Sequence, residues 1–171
     1  MTNIITKSTL ESNAYDNIVS FLNDRSIIID PRDKSGVMKR TFVHDSDPLA
    51  KSIAFSDFPY IIAELPTMDY SKVSVNGKVK NITWSMNLTV RTARDGSGQG
   101  TSAVGKTDIL SIGDDLNDLF NTDTYKQQLA LLRMFFTKLT KENTDTLSID
   151  QKLIYEASYT VEFQERIVVS L

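Results

Sequence analysis

The sequence predicts an α+β domain with a mainly antiparallel sheet of about four to five strands and helices packed on one face. Two long segments, 81–92 and 153–166, alternate apolar and polar residues as half-buried strands do. Three other segments, at about 8–24, 108–120 and 124–140, repeat apolar residues at helical spacing. The chain has 171 residues, a size typical of one domain, so we expect a single domain over its whole length.

The amino-acid composition argues against several classes of function. Apolar residues make up 40% of the chain and charged residues 24%, which are ordinary values for a globular protein. The net charge of −3 and the scattered lysines and arginines argue against direct nucleic-acid binding. Cysteine is absent, which excludes disulfide bonds, thiolate zinc sites and thiol nucleophiles. No apolar run is long enough to cross a bilayer and no signal-peptide pattern opens the chain, so we expect a soluble protein without a membrane partner.

The amino-terminal part of the chain combines clear elements with one long connection. Ser8–Glu11 reads as a capping box at the start of the first helix. Ser26–Asp30 is a short β-branched run that predicts a strand, and Phe58–Leu65 predicts another, closed by a proline. Residues 31–57 between them lack periodicity, so we expect an interaction arm or a disordered segment there.

A hairpin and the longest strand follow. Asn76-Gly77 favours a type I′ turn between Val73–Val75 and Lys78–Lys80. The returning strand at 81–92 is expected to bury alternate residues, and the closing strand at 153–166 is expected to pair with it. The predicted core residues of these two strands are Ile82, Trp84, Met86, Leu88, Val90, Leu153, Tyr155, Ala157, Tyr159, Val161 and Phe163.

The segment between the two long strands is expected to contain a loop and two helices. Residues 93–107 include a Gly-rich stretch and predict a mobile loop. The helix at 108–120 comes next. The segment 124–140 carries so many apolar residues that little polar face remains, so we expect a helix buried in the core or between subunits.

One motif raises the possibility of nucleotide binding. Gly100 to Thr107 matches the phosphate-loop pattern G-x-x-x-x-G-K-[ST], with Gly100, Gly105, Lys106 and Thr107 at its defining positions. Such a loop must join a buried parallel strand to the start of a firm helix. Here the preceding strand is amphipathic and Gly113 interrupts the following helix. A flexible connector is the favoured interpretation, and a small nucleotide-binding protein is the alternative.

Other polar clusters are better explained as structural features than as catalytic or metal-binding sites. His44 is the only histidine, and the run His44-Asp45-Ser46-Asp47 is typical of a solvated loop. Asp114, Asp115 and Asp118 are interpreted as dipole-stabilised carboxylates near a helix start, not as metal ligands. Trp84 and the tyrosines of the last strand are interpreted as packing residues. We therefore predict no catalytic residue, no metal and no cofactor, and a protein that is not an enzyme.

The order of elements resembles that of the tail terminator, or tail completion, proteins of long-tailed bacteriophages. The similarity rests on the amino-terminal helix leading into Ser26–Asp30, on Phe58–Leu65, on the strand Asn81–Thr92, on the helix Asp108–Phe120 and on the closing strand Leu153–Arg166. It covers nearly the whole chain.

This resemblance implies a virion protein, assembled in the host cytoplasm and located in the tail or neck. Its copies would form a ring, a hexamer in this family, that caps the tail tube and stops its polymerisation. Its partners would be itself, the tail tube protein and the head–tail connector or head completion protein. Another neck or connector subunit is a close variant, and a monomeric adaptor with disordered arms is a third class.

Overall fold

The computed structural model describes residues 7–22, 43–44, 58–72, 79–94, 104–149 and 152–168. The elements in these ranges are α1 (Lys7–Leu22), β1 (Val43–His44), β2 (Tyr60–Ala63), β3 (Thr67–Lys72), β4 (Val79–Arg94), α2 (Val104–Asn121), a 3₁₀ turn (Asp123–Tyr125), α3 (Lys126–Leu131), β5 (Phe135–Ile149) and β6 (Lys152–Val168). The predicted strand Ser26–Asp30, the turn Asn76-Gly77 and most of 31–57 and 95–103 lie outside the described residues.

The strands form one open sheet in the order β1-β2-β4-β6-β5, with β3 also paired to β4. The pairs among β2 to β6 are antiparallel, and only the two-residue β1 runs parallel to its neighbour β2. The predicted α+β class and mainly antiparallel sheet are therefore confirmed. The predicted pairing of the two long strands is also confirmed, since β4 and β6 pair along their length from Val79↔Val168 to Arg94↔Leu153.

Strands β2 and β3 share one edge of β4, because β6 occupies the other edge along its whole length. Ala63 pairs with Leu88 and Thr67 with Ser85, so the three residues that join β2 to β3 lie opposite two residues of β4. The extra residue forms a bulge at this edge of β4. The Asn87 side chain closes the bulge by donating a 2.9 Å hydrogen bond to Glu64 Oε2.

The core has the composition that the alternating pattern predicts. Five alternating apolar residues of β4, Ile82, Trp84, Met86, Leu88 and Val90, are at most 1% exposed and belong to one cluster with buried residues of α1, α2 and β6. Ile154 departs from the predicted pattern. The alternation in its strand places it on the polar side, but it is only 1% exposed. It packs in a second cluster with Phe58, Tyr60, Ile62 and Ala93.

Helix α2 begins earlier than expected and lies close against the sheet. The predicted loop at 93–107 is wrong at both ends, because Ala93–Arg94 continue β4 and α2 starts at Val104. Two glycines allow the close approach. A Cβ at Gly105 would lie 2.9 Å from Tyr155 Cδ2, and a Cβ at Gly113 would lie 2.5 Å from the Tyr159 hydroxyl oxygen. Gly113 therefore makes room for a core tyrosine. The expectation that all helices pack on one face stays a prediction.

The helix predicted at 124–140 is correct only in its first part and wrong beyond Leu131. Helix α3 ends at Leu131, and β5 starts at Phe135 and forms a hairpin arm with β6. Within this segment only Leu129, Met134 and Leu139 are buried. The chain thus reverses after two turns of helix, and part of the apolar stretch that seemed to require burial lies at the surface.

Candidate interaction surface

The connection between α3 and β5 is a tightly built helix end. The Met134 N–H donates a 2.9 Å hydrogen bond to Leu129 O, and the Arg133 N–H donates a 3.0 Å bond to Ala130 O. Arg133 has a φ of 62°. This is the Schellman arrangement, which normally has glycine at the left-handed position. Burial of Leu129 and Met134, at 1% and 2% exposure, supplies the apolar contact that accompanies the motif.

The first residues of β5 contain a second backbone irregularity. Phe135 pairs with Gln164 and Lys138 with Glu162, so one extra residue lies between these pairs. Phe136 in this bulge has a φ of 52°, which is unusual for a bulky side chain. Its ring is 83% exposed. A left-handed residue with an aromatic ring in solvent costs free energy in the isolated chain.

We name the surface made by Leu131, Arg133, Phe135 and Phe136 the α3–β5 corner. Leu131 is 85% exposed, Phe135 41% and Phe136 83%. Among the described residues, only two other large apolar side chains are exposed, Leu65 and Leu110. Single exposed apolar residues are normal on a protein surface, whereas apolar residues that form one patch indicate a site of interaction. These three lie within six positions of one another along the chain.

The corner is fixed to the core by side-chain hydrogen bonds. Thr137 Oγ1 donates to Phe120 O over 2.8 Å, which joins β5 to the end of α2. Asn121 Nδ2 donates to Leu139 O at 3.0 Å, and its Oδ1 accepts from the Leu139 N–H at 2.7 Å. Asn17 Nδ2 donates to Leu132 O at 3.3 Å, which joins α1 to the end of α3. The exposed rings are therefore presented by a rigid support.

Two grooves meet at the phenylalanines. The first has a volume of about 560 Å³ and is lined by Phe120, Asn121, Lys126, Leu129, Ala130, Met134, Phe135, Phe136 and Thr137. The second has a volume of about 510 Å³ and is lined by Asn81, Arg133, Phe135, Phe136, Gln164, Glu165 and Arg166. Phe135 and Phe136 line both, so they stand between two concave surfaces that a partner could fill.

The charges around the second groove are mainly positive. Arg133 and Arg166 line it, and both are exposed. Its one carboxylate, Glu165, accepts a 3.1 Å hydrogen bond from the buried Trp84 indole N–H. In the first groove, Lys126 forms an ion pair with Asp123. The corner is therefore apolar with a cationic side, on a chain whose net charge is −3.

The aspartates of α2 are not where the sequence placed them. Since α2 runs from Val104 to Asn121, Asp114 and Asp115 lie in its second half and Asp118 in its last turn, and the explanation by a helix start is wrong. Asp114 and Asp118 are exposed and follow the exposed Leu110 at intervals of four residues. We name Leu110, Asp114 and Asp118 the α2 stripe. In the described ranges, no group of three or more His, Asp or Glu side chains could hold a metal ion.

The phosphate-loop residues are only partly described, because Gly100 lies outside the described ranges. Lys106 and Thr107 are exposed in the first turn of α2, which is where the motif uses them. Gly105 is buried, and its carbonyl accepts a 2.5 Å hydrogen bond from Thr92 Oγ1. The preceding strand β4 is antiparallel to its neighbours β2, β3 and β6. Gly105 thus has a packing role that requires no phosphate.

Some of the remaining residues singled out in the sequence lie within the described ranges and others lie outside them. His44 is part of β1, whose side chains are not described, and Asp45, Ser46 and Asp47 lie outside the described ranges. The packing role of Trp84 and Tyr159 is confirmed, since they are 0% and 4% exposed. Tyr155 is partly buried against the same cluster.

The residues of the corner were missed because the sequence assigned them to a buried helix. Phe135 and Phe136 are β-favouring residues, and Thr137 to Ser148 continue with the β-branched and polar character of an exposed strand. These residues indicate a strand, but the helical spacing of the apolar residues in 124–140 is the stronger pattern.

None of the helices in the described ranges is long and apolar enough to span a membrane. No protein-family model matches this sequence, and no curated protein matches it.

Proposed function

We propose that this protein is a structural subunit of a bacteriophage virion, a tail terminator or tail completion protein whose copies form a ring. The ring, a hexamer by the resemblance, would cap the tail tube, stop its polymerisation and join the tail to the head connector. The proposal combines the order of elements, which resembles that of this family, with an exposed apolar corner on a rigid support.

The observation that carries the proposal is the exposure of Leu131 and Phe136, at 85% and 83%. Exposing aromatic and aliphatic side chains in a monomer forgoes stabilisation of roughly 1.5–3 kcal/mol for each residue that could be buried. The left-handed backbone at Phe136 adds to that cost. Association through this corner would bury the rings, and the free energy gained when they leave water would offset that cost.

The open sheet also supports a subunit that joins others. Strand β5 ends the described sheet, and it is 15 residues long. Two register shifts interrupt its pairing with β6, near Phe135/Lys138 and Lys141/Asn143. Bulges and charged residues restrict indiscriminate pairing at a sheet edge, so they favour a defined partner over aggregation.

The test is the solution mass of the purified chain over a wide range of concentrations, with electron microscopy of negatively stained particles at the upper end. Ring-shaped particles with a single subunit number are expected. A protein that stays monomeric up to its solubility limit and forms no ring would contradict the proposal and favour the adaptor with disordered arms.

The alternative from another class, a phosphate-loop protein, is supported by the exposed position of Lys106 and Thr107 in the first turn of α2. A titration with ATP or GTP and magnesium separates the two functions. A structural subunit is expected to bind neither nucleotide. Saturable binding that is lost in Lys106→Ala, with Lys126→Ala as the matched exposed-lysine control, would support the alternative.

A further inference from the structure

We propose that the α3–β5 corner of one copy docks on the α2 stripe of the next copy, so that subunits associate head to tail. This inference rests on the proposed ring function and names its contact surfaces. Its partner is a second copy of this chain.

The α3–β5 corner combines apolar and cationic groups. It offers two aromatic rings and one leucine, beside Arg133 and Arg166. A partner surface that fits must contain an apolar residue for the rings and carboxylates for the guanidinium groups.

This chain itself carries such a surface. Leu110 is 53% exposed on α2, and between positions 105 and 121 of that helix it is the only large apolar side chain exposed to this degree. Asp114 and Asp118 follow it by one and two helical turns, and both are exposed. The stripe therefore has one apolar residue and two carboxylates in a row, which complements the corner in both respects.

The corner and the stripe are different surfaces. A two-fold dimer would use both surfaces of both subunits, whereas a head-to-tail contact uses one surface of each subunit and leaves its other surface free. Repeating such a contact generates a closed ring or an open filament, whereas a two-fold contact stops at a dimer. A head-to-tail contact is the kind that a ring requires.

The experiment uses three variants of the full chain. The corner variant is R133N/F136N, in which asparagine tolerates the left-handed backbone at both positions. The stripe variant is L110Q/D114N/D118N, which removes the apolar and charged groups with helix-compatible or isosteric side chains. The control is L65Q/D69N, which makes the same kinds of change at exposed residues outside both surfaces.

Sedimentation velocity then measures association of each variant alone and of an equimolar mixture of the corner and stripe variants. Each of these two variants alone is expected to associate at least tenfold more weakly than the wild type and the control. Their mixture is expected to form a 1:1 dimer and nothing larger, because only one intact corner and one intact stripe can meet. Urea unfolding shows that each variant is folded, and R133G/F136G replaces the corner variant if it is not.

The outcomes separate this inference from the proposed function. Rings that persist in the corner and stripe variants overturn the inference and leave the ring function standing. Loss of association in both variants without a mixed dimer overturns the head-to-tail contact. Equal loss in the control overturns the assignment of surfaces, and a wild type that never associates contradicts both the inference and the ring.

Discussion

The close contact between Gly113 of α2 and Tyr159 of β6 leads to a prediction about a pair of substitutions. Alanine at position 113 would place its Cβ 2.5 Å from the Tyr159 hydroxyl oxygen, a separation that requires the ring or the helix to shift. The next atom of the ring, Cζ, would lie 3.5 Å away, which is an ordinary contact. The clash therefore involves one oxygen atom, which Tyr159→Phe removes.

The magnitude follows from two opposing effects. Replacing glycine by alanine inside a helix stabilises by about 1 kcal/mol. Overpacking a filled site destabilises by roughly 1–3 kcal/mol. Gly113→Ala in the wild type should therefore lower the free energy of unfolding by about 0–2 kcal/mol. In the Tyr159→Phe background it should raise it by about 1 kcal/mol, so the coupling between the two positions is about 1–3 kcal/mol.

Urea unfolding of the wild type, both single variants and the double variant measures this coupling. Asp118→Ala, at an exposed position of the same helix, is the matched control and should show no coupling to Tyr159→Phe. A coupling within experimental error of zero would refute the reasoning, since the destabilisation would then not come from the phenol oxygen.

Three further predictions concern the same structure. Burial, and secondarily the Asp114 carboxylate, raise the pKa of Tyr159, so the folded state favours the neutral phenol. The stability that the neutral Tyr159 phenol contributes should be complete below about pH 10 and be lost as the pH rises through the higher folded-state pKa. In urea unfolding between about pH 9 and 12, Tyr159→Phe should abolish that loss. An alkaline stability profile that is unchanged in this variant would contradict the prediction. Gly105→Ala should destabilise by roughly 1–3 kcal/mol, because its Cβ would lie 3.1 Å from the Ala93 backbone carbon. Lys106→Ala should change the free energy of unfolding by no more than about 0.5 kcal/mol. If Gly105→Ala and Lys106→Ala had equal effects on thermal unfolding, that result would argue against a packing role for Gly105. Arg133→Gly should stabilise by about 1 kcal/mol by relieving the left-handed backbone while weakening self-association, and a destabilised variant would contradict this account of the helix end.

The elements that could be predicted are those whose pattern repeats along the chain. In β4, five apolar residues alternate with polar ones, and each lies in the core as expected. In α1, Ala14, Ile18 and Leu22 recur at intervals of four and are buried. Periodic patterns of this length are predictable because each position independently reports the same face.

The segment 124–140 could not be predicted because a local pattern and a tertiary contact disagree there. Tyr125, Leu129 and Leu132 suit a helix, but Arg133 adopts the left-handed conformation without a glycine to signal it. A continued helix would satisfy its own backbone groups, but it would leave the edge of β6 that β5 covers without hydrogen-bond partners. The candidate interaction surface depends on that reversal, so it could not be predicted from the sequence.

The same limit explains the two glycines of α2. The sequence predicts a weak helix at Gly113 and a flexible connector at Gly105, with a phosphate loop as the alternative, since propensity and motif are all that sequence offers at these positions. The structure places both opposite tyrosines of β6, where a side chain would clash.

By itself, the sequence determined the α+β class, the two long paired strands, the first helix and the composition of the main core. These depend on periodicity, which a single chain displays along its length. Only the tertiary structure decided where α3 ends, which phenylalanines face water and why α2 carries glycines. Those features depend on contacts between residues far apart in the chain, and no local pattern encodes such contacts.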